Sequence, residues 1–153
     1  MTFVDSNVFV IDLRYPRDPN APANRQFLDA LRARGSGVTG AINVLEVCGV
    51  LSFNLSDLDL RDLYHHFERR YGVTVLPRKR ELLPLVPSTG PEVLATLCRR
   101  FALGDALVAV TLERWAPRAE AFVSWNARHF SGKLTVPALT PVEWLALGAA
   151  APG

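Results

Sequence analysis

Two kinds of stretch take turns along this chain. Short, dense apolar runs rich in β-branched or aromatic residues read as buried strands. They are Thr2–Val4, "SGVTG", "VTVLP", "AFVSW" and the short run in "TVPALTP". Between them lie longer stretches with apolar residues at helical spacing. "ANRQFLDALRARG" puts Phe27, Leu28 and Leu31 on one face and stops at Gly35. "GAINVLEVCGVL" reads as a buried helix with Thr39 as its N-cap. "SDLDLRDLYHHFERRYG" is amphipathic, capped by Ser56 and ended by Gly72. "GPEVLATLCRRFAL", "GDALVAVTLERW" and "PVEWLAL" supply further helices, opened by Pro91, Asp105 and Pro141. The three prolines of "RYPRDPNAPAN" mark a loop, and residues 80–90 carry no clear pattern.

Strands that alternate with helices and are apolar on both faces predict an α/β fold. A parallel sheet covered by helices on both sides suits that pattern. In such sheets ligands sit beyond the carboxyl ends of the strands. One domain over residues 1–147 is expected, with a frayed tail from 148 onward.

Bulk composition changes this picture little. The 153 residues are 49% apolar and 21% charged, as in an ordinary globular domain. The net charge of +2 permits an anionic partner without requiring one. Of the 17 basic residues only Lys79 and Lys133 are lysines; the rest are arginines, suited to bidentate phosphate contacts. Cys48 and Cys98 lie in apolar helical patterns without a CxxC spacing, so buried free thiols and a cytoplasmic location are expected. No signal-peptide pattern or membrane-length apolar run is visible.

Three acids stand out because each is alone in an apolar run. Asp5 ends the first strand; Glu46 lies mid-helix in "INVLEVCGV"; Asp105 lies in "FALGDALVAVTL". Taken singly, Asp5 could be a turn residue and Asp105 a helix cap, whereas Glu46 in a helix interior needs a partner. Taken together, they suggest one cluster. Carboxylates ~5 Å apart repel by roughly 3 kcal/mol per pair at an effective dielectric near 20, and a divalent cation removes that cost. Mg²⁺ prefers oxygen ligands and keeps several waters.

In this setting the sequence resembles PIN domains, and more narrowly the VapC-type ribonuclease toxins of toxin–antitoxin pairs. "VDSNVFV" resembles the family's opening Asp-Thr-Asn-Val, with Asp5 as first acid, Ser6 in place of Thr, and Asn7. "INVLEVCGVL" resembles the helix of the second acid, Glu46, and "FALGDALVAVTL" the helix of Asp105. "AFVSWNARHF" resembles the segment with Asn126 and His129, and "TVPALTPVEWLA" the family's ending. One departure is Asn126, where many members have an acid.

The resemblance implies a three-layer α/β/α sandwich with a short, mostly parallel sheet. It also implies a metal-dependent endoribonuclease. Asp5, Glu46 and Asp105 would hold Mg²⁺ or Mn²⁺, with Asn126 as an uncharged fourth ligand. Asn7 or Ser6 would orient the attacking water. Arg14, Arg17, Arg128 and His129 are candidates to meet the RNA. A small antitoxin partner and a homodimer are implied as well.

Two other readings fit the sequence less well. A haloacid-dehalogenase-type phosphotransferase needs an acid two residues after the first, where this chain has Asn7. A PIN-like RNA-binding or regulatory module without chemistry would have no use for three isolated acids. His65 and His66 are adjacent on a helix, about 100° apart, and read as surface residues. Trp115, Trp125 and Trp144 read as packing residues.

Overall fold

The computed structural model describes residues 1–78 and 89–149. The unpatterned stretch from residue 80 therefore falls almost wholly outside the described residues, as do Lys79 and residues 150–153.

Five strands form one all-parallel sheet: β1 (Thr2–Val4), β2 (Gly37–Gly40), β3 (Val73–Leu76), β4 (Ala121–Val123) and β5 (Ala138–Leu139), in the spatial order β3-β2-β1-β4-β5. The expectation of a mostly parallel sheet is thus met in full. The helices are α1 (Ser6–Arg14), α2 (Ala21–Arg34), α3 (Ala41–Leu51), α4 (Asp57–Tyr71), α5 (Gly90–Leu97), α6 (Leu103–Trp115), α7 (Ala127–Phe130) and α8 (Pro141–Ala149). Among the described residues no helix is long and apolar enough to cross a membrane.

Strand alternation divides the core in two. Val4, Val73, Val75, Ala121 and Val123 face a layer built from α1 to α4 and α8, where Phe9, Phe67 and Tyr71 pack ring to ring. Phe3, Val38 and Phe122 face the other layer, with Ala106, Ala109 and Leu112 of α6 and Phe130 of α7. The period of two in each strand makes this three-layer division possible.

Several boundaries differ from the sequence expectation. The apolar run after Asp5 is a helix, α1, because Asp5 caps it and turns the chain out of the strand. Helix α2 starts at Ala21, since a proline in a first turn costs no hydrogen bond. Thr39 is not a cap but a strand residue. Its buried hydroxyl donates to the Val4 carbonyl at 2.7 Å, and Gly40 holds the N-cap position of α3 without a side-chain bond. Helix α5 stops at Leu97, and α8 runs past residue 147 to Ala149. Ser56 and Gly72 do cap α4, Gly72 with φ 65° in the left-handed region.

Cys48 is buried as expected, whereas Cys98, at the end of α5, is exposed; both are free. Trp144 packs edge-on against Phe27 and its indole N–H donates to Thr2. Trp125 is half-buried and donates to Asn24. His65 and His66 are exposed, with His66 beside Asp62.

Candidate active site

The strand order reverses direction between β1 and β4, which is where open parallel sheets leave a crevice at their carboxyl ends. Asp5 and Ser124 stand at that point, one residue past each strand.

Asp5 continues the ladder by donating its N–H to the Val123 carbonyl, then caps α1 by accepting from the Ser6 N–H at 2.9 Å. Asp is among the best N-cap residues, which explains the switch from strand to helix here. Its side chain is buried. Oδ1 also accepts from Asn43 Nδ2 at 3.2 Å, and Oδ2 accepts from Ser124 Oγ at 2.7 Å. Burial pushes this carboxyl up to about 6. The Ser124 hydroxyl and Ser6 N–H pull it back, while the charges of Glu46 and Asp105 push it further up. Asp5, one residue past β1, therefore feels the charges of both other acids, Glu46 on α3 and Asp105 on α6.

Glu46 differs from the buried residue that its apolar neighbours suggested. Helix α3 turns Val44, Val47 and Cys48 inward and leaves Leu45 and Glu46 exposed. Glu46 accepts from Ser6 Oγ at 2.5 Å, and the same Oγ lies 3.3 Å from Asp5 Oδ1, so one hydroxyl links two acids. Asp105 is the third residue of α6, whose N-cap position is held by Ala102. It is half-buried and is not the helix cap, although the positive end of the helix favours its charge.

Asn7 has both ends of its amide occupied. Nδ2 donates to Ser124 Oγ at 2.9 Å and Oδ1 accepts from the Trp125 N–H at 3.1 Å. This side chain clamps the β4 turn onto α1. Asn126 takes the N-cap position of α7, its N–H donates to Ser124 Oγ, and its side chain is exposed beside the crevice. Arg128 and His129 follow on the exposed side of α7. Arg14 is helical rather than in a loop. It lies eight residues and about 12 Å along α1 from Ser6 and donates to the Tyr15 hydroxyl. Arg17 is exposed in the following turn.

Ser124 and Asn43, both fully buried, were missed in the sequence. Asn43 gave the same signal as the acids, a lone polar side chain in an apolar helix, but without charge. Ser124 is a hydroxyl directly after the apolar strand β4.

Among the described residues no three His, Cys, Asp or Glu side chains form a ready metal cage. Asp5 and Glu46 meet through Ser6, whereas Asp105 acts on Asp5 only through its charge. The donor set nevertheless suits a hard cation: all its ligand atoms are oxygens, and the burial of Asp5 disfavours its ionised form until positive charge arrives. A cation that keeps waters, as Mg²⁺ does, fits the wider spacing.

No protein-family profile matches the sequence, and no protein of established function matches it significantly. Among solved structures it is similar to a chain from the structure of FitAB bound to the IR36 DNA fragment. The two share 18% identity and a TM-score of 0.57, covering 92% of this chain and 95% of that one. At this identity the likeness concerns the fold, a PIN-like α/β/α sandwich.

Proposed function

We propose that this chain is a metal-dependent endoribonuclease that serves as the toxin of a toxin–antitoxin pair. The observation that carries the reading is that Asp5, at the reversal point of a PIN-like sheet, is linked to Glu46 through Ser6 and lies within the field of Asp105, three acids isolated in sequence. FitAB, to which the fold is similar, was solved bound to a DNA fragment. A small antitoxin and a homodimer complete the reading. Phe53 and Leu58, 88% and 80% exposed, offer apolar surface that a partner would cover.

In this mechanism Asp5, Glu46 and Asp105 would hold Mg²⁺ or Mn²⁺, with Asn126 free to add a carbonyl oxygen. When bound, the metal lowers the pKa of water and stabilises charge on a phosphoryl group. Ser124 and Asn43 fix the Asp5 carboxylate, and Ser6 sets Glu46 against it. Asn7 acts as a positioning residue, since its amide is committed to Ser124 and Trp125. Arg128 and His129, exposed on α7 within three residues of Asn126, would meet the strand; Arg14 lies farther along α1. Water attack of this kind leaves a 5′-phosphate and a 3′-hydroxyl.

The test is cleavage of total cellular RNA by purified protein with Mg²⁺, with Mn²⁺ and with EDTA, beside Asp105→Asn. Discrete fragments that need the metal and fall by at least a hundredfold in the variant are expected. Equal decay with both proteins would trace the activity to a contaminant. No cleavage by either would favour a binding module that keeps the fold without the chemistry.

A further inference from the structure

Away from the acids, a hollow of about 270 Å³ opens between α1, α2 and α4. It is lined by Asp12, Arg25, Leu28, Asp29, Arg32, Arg70 and Tyr71. Arg25, Asp29 and Arg32 recur at helical spacing on one stripe of α2. Arg70 comes from the last turn of α4, and its guanidinium lies 5.8 Å from the Tyr71 ring centroid. Gly72, just beyond, leaves room for the Arg32 stem: a Cβ there would sit 3.1 Å from Arg32 Cγ.

The charges here are unbalanced in an informative way. Asp12 and Asp29 share the hollow, yet among the described residues neither forms an ion pair with Arg25, Arg32 or Arg70. Asp12 is instead taken up by the Tyr71 hydroxyl, which donates to it at 2.9 Å. Burial, with the Asp12 charge beside it, holds the Tyr71 phenol well above its ordinary range, so it stays a neutral donor. Arg25 and Arg32 are left with open N–H donors around one concave space, and Arg70, which also bonds the Tyr71 side chain, lines it beside them. A second hollow of about 240 Å³ shares Arg70 and adds His66 and Arg69 beside Asp62, so the cationic strip continues along α4.

Such a strip meets a need that the catalytic reading creates. Three carboxylates repel a polyanion, so a strand bound there must be gripped elsewhere. Guanidinium forks are the side chains best shaped for phosphate oxygens. Asp12, on the rim of the hollow, lies seven residues along α1 from Asp5, about 10 Å at the helical rise, while Arg32 and Arg70 sit in the last turns of α2 and α4 towards the amino ends of β2 and β3, so a strand held in both places would run along α1. We propose that the hollow formed by Arg25, Arg32 and Arg70 is a phosphodiester-binding site that holds the RNA strand outside the acidic crevice. This rests on the nuclease reading for its substrate, but not on cleavage.

The test is fluorescence anisotropy with a labelled single-stranded RNA in EDTA across a salt series. It compares the wild type with Arg25→Gln/Arg32→Gln/Arg70→Gln and with Arg61→Gln/Arg100→Gln/Arg118→Gln, which removes the same charge elsewhere. Each phosphate contact on a single strand contributes a salt slope of about 0.7. The first triple variant should lose about two such contacts and bind at least tenfold more weakly at low salt. The second should stay within about threefold of the wild type. Equal weakening in both, or none in the first, overturns the proposal. A single Arg70→Gln variant whose melting matches wild type guards against unfolding and should already lower the slope. Loss of binding alongside intact metal-dependent cleavage of a short substrate would separate this site from the catalytic one. If neither protein cleaves RNA, the nuclease reading fails while the binding comparison still decides this one.

Discussion

At the scale of a residue, Asp5 carries opposed demands. It caps α1, accepts from Asn43, Ser6 and Ser124, and lies buried within the field of two other acids. Its folded-state pKa, raised from 3.8 to about 6, means that the folded protein binds the proton more tightly than the unfolded chain does. Stability contributed by this group is therefore present below pH 4 and lost as pH rises through about 6, by up to about 3 kcal/mol. Asp5→Asn, which keeps a good cap, should melt higher than wild type at pH 8 without metal. The two should converge as pH falls toward 4. Thermal melts in EDTA at stepped pH check this; a variant that melts lower at pH 8 would contradict it. The sequence showed Asp5, Glu46 and Asp105 because charge in an apolar run is conspicuous. It hid the bonds of Asn43 and Ser124, because an uncharged polar residue in a core has many ordinary uses. It also misjudged Glu46, since apolar neighbours say that a helix is buried on one side without saying which residues face out.

At the scale of an element, the α3 entry is where packing and site meet. Gly40 ends β2 and begins α3, and a Cβ there would fall 2.8 Å from Asn43 Oδ1 and 3.0 Å from Thr111 Cγ2. Asn43 is fully buried and holds Asp5, so it has little room to give. Gly40→Ala should cost about 1–3 kcal/mol by overpacking and disturb the Asp5 carboxylate. Gly49, in the same helix, has nothing within 4 Å of a Cβ, so Gly49→Ala should stabilise by about 0.5–1 kcal/mol. Urea midpoints of the two variants measure the contrast, and the same shift in both would refute the packing argument. Elements with strong caps, such as α4 between Ser56 and Gly72, were legible at both ends. Helix α1 was not, because its apolar run joins that of β1 and only the capping bonds of Asp5 mark the join. Thr39 misled for a related reason: a hydroxyl one residue before a helix start resembles a cap, but here it satisfies a neighbouring strand's carbonyl.

At the scale of the molecule, alternation of strand and helix made the parallel sandwich legible, but not the strand order. Order depends on which side of β1 each crossover returns to, and short apolar strands carry no local mark of it. Once the order is β3-β2-β1-β4-β5, the switch point at β1 and β4 follows, and Asp5 stands there within the field of Glu46 and Asp105. In the proposed mechanism, binding of a cation there would couple to the stability of the whole fold. Without one, Asp5 is driven toward its neutral form and the neighbouring charges oppose folding. With one, all three carboxylates gain by ionising. A divalent ion that binds only the folded state raises stability by about 2.7 kcal/mol at a hundred times its dissociation constant. For a domain of this size that is a rise in melting temperature of several degrees. Mg²⁺ or Mn²⁺ should therefore raise the melting point at pH 7.5, with a smaller rise at pH 5, where protons compete for Asp5. Asp105→Asn should blunt the rise at both. Scanning calorimetry with MgCl₂ against NaCl at matched ionic strength separates this from screening of surface charge. An equal rise with both salts would remove the cation from the account, because the fold would then be holding its three acids against one another without it.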